Sequence, residues 1–195
     1  MKTQNKRTIT RVLSLFAFIV FTSNFIQAQE FSLTNNESSL KVYGTSNLHD
    51  WHIDAEEQSG VIKFKNLKTA VIEKCNLKVT VKSLKSGKNG MDKNTFKALN
   101  SDSYSYITFN LTNIKNSIDN GDGTFQVKSL GDLTISGVKK QIGLDFLVTI
   151  SQGKIMLTGE KTLNMTHYKI EPPKALLGTI TTGEEVTIKF SSTFK

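Results

Sequence analysis

The chain of 195 residues has little of what most often announces a chemistry. It has one cysteine, Cys75, so no internal disulfide can form. Cys75 shares the apolar phase of Val71, Leu77, Val79 and Val81 and reads as a buried thiol, since free cysteine is among the most buried residue types. A reactive thiol would want exposure and a basic neighbour. Its only two arginines, Arg7 and Arg11, stand near the start. Arginine is the usual bidentate reader of phosphates and base edges. Its absence from the rest of the chain, with lysines spread along outward strand faces, argues against nucleic acid as a partner. The three histidines are His49, His52 and His167. With Asp50 they offer metal-ligand types, but an i, i+3 pair converges only on a helical turn and the 44–52 segment reads as extended or looped, so no metal is assigned. Ser86-Gly87-Lys88-Asn89-Gly90 lacks the order of a phosphate loop. Asp119-Asn120-Gly121-Asp122-Gly123 has glycines where a calcium loop needs ligands, and reads as a turn. No nucleophile, base and orienting acid are placed together by a motif, so no catalytic residue and no cofactor are expected.

The first 28 residues stand apart. Lys2, Lys6, Arg7 and Arg11 form a basic head, Val12–Ile26 an apolar stretch interrupted by Thr22, Ser23 and Asn24, and Ala28 a small residue where cleavage would fall. That is the build of a secretory signal peptide, and the run falls short of the ~20 residues a spanning helix needs. The expectation is residues 1–28 as signal peptide and 29–195 as one domain, periplasmic or secreted, with no membrane span after cleavage. Without the leader, 21 lysines face 17 acids, a balance of +4. Much of the formal +8 belongs to the leader.

What the remainder does have is alternation. Phe125, Val127, Leu133 and Ile135 share one parity, and Thr124, Gln126, Lys128, Asp132 and Thr134 the other. Ile142, Leu144, Phe146, Val148 and Ile150 repeat the pattern after Ser136-Gly137. A period of two marks strands with one apolar face, and the break makes 123–150 a long hairpin. Similar strands are expected from Leu40, across Ile62 and Phe64, over 70–84 and 104–114, from Ile155, and into Val186, Ile188 and Phe190. Glu171-Pro172-Pro173 reads as a loop. One short helix is expected where Met91, Thr95, Ala98 and Leu99 fall at helical spacing, with Asp92 at its N-terminal end. About eight strands joined by turns or short loops predict an all-β fold, an antiparallel up-and-down barrel, with a two-sheet sandwich as the alternative.

Several pieces carry a resemblance: Tyr43-Gly44-Thr45-Ser46 with Leu48-His49-Asp50-Trp51, Val81–Gly87, Met91-Asp92 with Ala98-Leu99, Tyr106–Phe109, Gly131–Lys140, and Met165–Tyr168 with Pro172-Pro173, Gly178 and Gly183. In order and spacing they resemble the YceI-like family of bacterial lipid- or polyisoprenoid-binding proteins, over roughly 39–194. The resemblance implies a lipocalin-like barrel with a long hydrophobic pore, a periplasmic place, an isoprenoid or other long-chain lipid as partner, and no catalytic constellation. A homodimer is compatible with it. Its ligand contacts are apolar pore residues, so strand parity nominates Leu77, Val79, Phe109, Leu111, Val127, Gly131, Leu133, Phe146, Val148, Leu157, Ile188 and Phe190. Gly44, Gly131 and Gly159, with Ser129, sit on inward parities, and glycine in a strand often marks a bend or a close approach. Gly131 is expected to border the ligand. An exported lipid carrier or store is therefore the first expectation. A secreted interaction module with a filled core is the second.

Overall fold

The structure is a computed structural model that describes residues 29–195; the expected signal peptide lies outside them. Twelve strands are assigned among the described residues, yet eight sides build the wall. The first side is β1 (Gln29–Ser32) continued by β2 (Ser39–Ser46), interrupted by a single 3-10 turn at Asn35–Glu37. The second is β3 (Trp51–Ala55) continued by β4 (Gln58–Asn66). The two sides pair antiparallel above and below the interruption, β2 with β3 and β1 with β4. At the break the Asn35 side chain stands in for the missing ladder. Its Nδ2 donates to the Glu56 carbonyl (2.8 Å) and its Oδ1 accepts from Gln58 N (2.8 Å).

The other sides follow in chain order: β5 (Val71–Thr80), β7 (Tyr106–Asp119), β8 (Thr124–Ile135), β9 (Val138–Ser151), β10 (Lys154–Asn164) and β12 (Ile180–Phe194). Each pairs antiparallel with its predecessor. β12 then pairs with β2, and Leu33 bridges to Phe194, closing the ring as a two-sheet sandwich does not. This is an antiparallel up-and-down barrel. The remaining strands, β6 (Leu84–Lys85) and β11 (Lys174–Ala175), are two-residue additions beside β3 and β12. The wall is splayed on one side. Pairing of β9 with β10 stops at Phe146–Gly159, and β9 runs on bonded to β8 alone.

Alternation decides the inside. Along β8, Phe125, Val127, Ser129, Gly131, Leu133 and Ile135 are buried while Gln126 and Lys128 are exposed. The β8–β9 and β9–β10 hairpins turn on two residues each, Ser136-Gly137 and Gln152-Gly153, all at positive φ. Such turns match the twist of their strands. The inward glycines are seats for rings. The Phe109 ring fills the space over Gly131, Trp51 that over Gly44 and Phe190 that over Gly159. Cys75 lies buried among Ile62, Phe64 and Ile72, and burial pushes its thiol up to about 12. No helix of the described residues is long and apolar enough to cross a membrane.

Helix α1 runs from Asn89 to Ala98. It begins before Asp92 because that residue does not cap it. The Asp92 carboxylate turns back to Ser86, accepting from its N (2.8 Å) and Oγ (2.6 Å). Burial pushes the carboxyl pKa up, but these two bonds and the nearby Lys85 charge hold it below its ordinary value. At the other end the Leu99 carbonyl accepts from Ser136 Oγ (2.9 Å), tying the helix to the β8–β9 turn.

Candidate functional site

The end of the barrel under α1 is hollow. A cavity of about 710 Å³ opens there, within the range of pockets that take a small ligand. Its walls come from the strands: Val42 and Ser46 of β2, Trp51 and Ile53 of β3, Leu84, Ile107, Ile135, Leu163, and Ile180, Thr182, Val186 and Ile188 of β12. Met91, Thr95 and Ala98 of α1, with Leu99 just after it, face it from one side of the mouth. Met165, Tyr168, Ile170, Pro173 and Ala175 face it from the segment between β10 and β12. The charged side chains on the wall are Lys88, Lys93 and Lys174, all exposed, and no carboxylate of the described residues lines it.

Local bonding explains how the mouth is held. Ser46 Oγ donates to the His49 carbonyl (2.7 Å) and accepts from Leu48 N and His49 N (3.3 and 3.1 Å), folding the β2–β3 connection into a compact turn. Trp51 Nε1 donates to the Thr45 carbonyl (3.0 Å), so its ring lies over Gly44 and contributes its apolar surface to the wall. Across the mouth, Asn164 Oδ1 accepts from Thr166 N (2.8 Å) and Oγ1 (2.6 Å) and starts the 3-10 turn Met165–Tyr168. Tyr168 is buried at the end of that turn. Its hydroxyl meets no hydrogen-bonding partner among the described residues, and burial pushes its pKa up.

The histidines do not converge. His49 lines the cavity, with Nδ1 2.8 Å from the Asp50 carbonyl oxygen. His52 faces outward beside Tyr43 and Asp54. No three metal-ligating side chains come together among the described residues.

Of the twelve residues nominated by parity, Ile188 lies on the cavity wall. Phe109, Val127, Leu133, Phe146, Val148 and Leu157 are buried in the main core next to it. Leu77, Leu111 and Phe190 pack against that core, Gly131 is covered by Phe109, and Val79 packs with Ile53, Ala55 and Leu84. The wall residues Val42, Ile107, Ile135, Leu163 and Val186 carry the same inward parity. Parity fixes the side of a strand and not the height along the barrel. The missing signal was which positions along each strand come level with the cavity and α1.

Comparisons with known proteins agree with this architecture. A family model for the YceI-like domain matches residues 26–194. BcnA of Burkholderia cenocepacia superimposes with a TM-score of 0.68 at 16% identity, covering 83% of this chain and 98% of that one. A polyisoprenoid binding domain from Saccharophagus degradans, implicated in plant cell wall breakdown, does so with a TM-score of 0.68 at 16% identity, covering 85% and 97%. A YCEI protein of Campylobacter jejuni gives 0.60 at 19% identity over 72% and 82%. At these identities the likeness speaks to the fold alone. A comparison with curated proteins gives no match.

Proposed function

The chain belongs to the YceI-like domain family, and from that premise we propose that it is an exported binding protein holding one long apolar molecule in the end cavity, as carrier, store or sequestering protein. A polyisoprenoid or another lipid fits the chemistry of the wall. The observation that carries this is the cavity itself, about 710 Å³ walled mostly by Val, Ile, Leu, Met and Trp side chains. A filled barrel would leave no such volume, since eight-stranded interiors are either packed by side chains or opened for one ligand. The related domain from Saccharophagus degradans is a polyisoprenoid binding domain, which supports the same chemistry here. Binding without turnover is the proposal. His49 is engaged by backbone, and the lysines stand exposed at the rim with no carboxylate on the wall to complete an acid–base pair.

Native mass spectrometry of gently purified protein tests it. The expected result is an added mass that organic extraction removes and that returns when the emptied protein meets a long-chain prenol or fatty alcohol. A bare polypeptide mass together with failure to take up either probe would refute the proposal. Export is tested separately: N-terminal sequencing of the protein from the cell envelope or medium should begin near residue 29.

A further inference from the structure

The three most exposed large apolar side chains among the described residues are Leu177, Leu176 and Leu48, and all three sit in loops whose neighbouring residues line the cavity. Leu48 lies between Ser46 and His49, which line the cavity. Leu176 and Leu177 lie between Ala175 and Ile180, which also line it. The two loops that carry them are fastened together. Asn47 Nδ2 donates to the Thr179 carbonyl (2.9 Å), Thr181 N donates to Asn47 Oδ1 (3.0 Å), and Asn47 N donates to the Thr181 carbonyl (3.1 Å). The leucines therefore form one rim rather than three isolated exposures.

Their backbone is unusual as well. Leu176 and Leu177 hold φ of 48° and 54°, followed by Gly178 at 91°. Left-handed conformations are uncommon for residues with a side chain, and such strain clusters at ligand and switch sites. Exposed apolar groups gathered in one place mark interaction surfaces, whereas scattered ones mean little. Lys88, Lys93 and Lys174 line the cavity that these loops border, and all three are exposed. Among the described residues no acid lines the cavity: Asp92 is turned to Ser86, Glu184 accepts from Asn164 (3.1 Å), and Asp50 and Glu171 stand exposed beside lining residues without lining it themselves.

We propose that this rim is a docking surface for an anionic lipid bilayer. The leucines enter the headgroup boundary, the lysines meet acidic headgroups, and the mouth comes to rest where acyl or prenyl chains begin. Apolar insertion and a small basic patch are each weak alone and give reversible binding together. The charge complementarity and the continuity of the rim with an apolar cavity favour a membrane over a second copy of the chain. The purpose of the surface, exchange of the held molecule, rests on the lipid-holding reading above.

Co-sedimentation with vesicles tests it on the full processed protein. Binding should be about tenfold stronger to vesicles of phosphatidylcholine and phosphatidylglycerol in equal parts than to phosphatidylcholine alone. Raising the salt from about 0.1 M to about 1 M should erase the difference. Leu176→Ser with Leu177→Ser should lower partitioning to both vesicles about tenfold, with retained lipid mass unchanged. Lys88→Gln, Lys93→Gln and Lys174→Gln together should remove the anionic preference and leave weak binding. Failure of the wild type to bind anionic vesicles overturns the proposal, as does binding that neither set of substitutions lowers. A leucine-dependent dimer by light scattering, without vesicle binding, assigns the rim to a second copy and also overturns it. Vesicle binding by protein that carries no lipid supports the docking surface while counting against the lipid-holding reading.

Discussion

Replacing Gly131 with alanine should destabilise the barrel through Phe109. A methyl group at residue 131 would overlap the Phe109 ring, and it would also lie 2.9 Å from the Asn110 carbonyl oxygen. The Phe109 ring is buried in the core and the Asn110 carbonyl belongs to a paired strand, so neither yields freely. Overpacking of this kind costs about 1–3 kcal/mol, while glycine to alanine in a strand returns roughly 0.5–1 kcal/mol. The net loss is about 1–2 kcal/mol, or about 2–8 °C in Tm for a domain of this size. Thermal unfolding of the emptied protein measures it. The cause is identified by a double-mutant cycle with Phe109→Ala, which alone should cost about 3–5 kcal/mol. With the ring gone, the alanine at 131 should cost less, leaving only its approach to the Asn110 carbonyl, a coupling of about 0.5–3 kcal/mol. Additive effects would mean that the ring is not what occupies the space over Gly131. A stable Gly131→Ala protein that loses its lipid would instead place Gly131 on the ligand, as its inward parity first suggested.

Tyr168→Phe removes a buried hydroxyl that has no partner. It should leave stability unchanged or raise it by about 1 kcal/mol, read as Tm; a clear loss would reveal a bond the hydroxyl makes. Asp92 has its pKa depressed in the fold, so its contribution is fully present above the unfolded-state pKa and is lost as pH falls through the lower folded value. Asp92→Asn should therefore lower stability at neutral pH and flatten the acid limb of the stability–pH profile; an unchanged acid limb would refute the Ser86 anchorage. Cys75, buried and with its thiol pushed up to about 12, should react with a thiol reagent only as the protein unfolds. Rapid labelling of native protein would contradict its placement in the core.

The features legible in the sequence are those with a local signature. Period-two alternation placed Phe125, Val127, Leu133 and Ile135 inside, and Ser136-Gly137 at the hairpin turn. The broken sides were not legible, because what bridges the break is Asn35 reaching Glu56 and Gln58, a pairing set by tertiary position. The helix was legible too, with Asp92 in its first turn, but not the bond from Ser86 that holds that carboxylate. Cavity residues were missed for want of height along the barrel. The rim was missed because Leu176 and Leu177 look like core residues until the backbone turns them outward.

The closing of the ring has a kinetic consequence. Val42 pairs with Ile188, so the contact that completes the barrel joins the beginning of the domain to its end. The hairpins from β7 to β10 can zip locally, but this pairing must wait until nearly the whole chain is present, and contacts of such long range slow folding. The cavity takes its walls from both partners, Val42, Trp51 and Ile53 on one side and Val186 and Ile188 on the other. It therefore exists only once β12 has docked on β2. A chain that still lacks β12 has no such cavity, so nothing can be held there before that strand is in place.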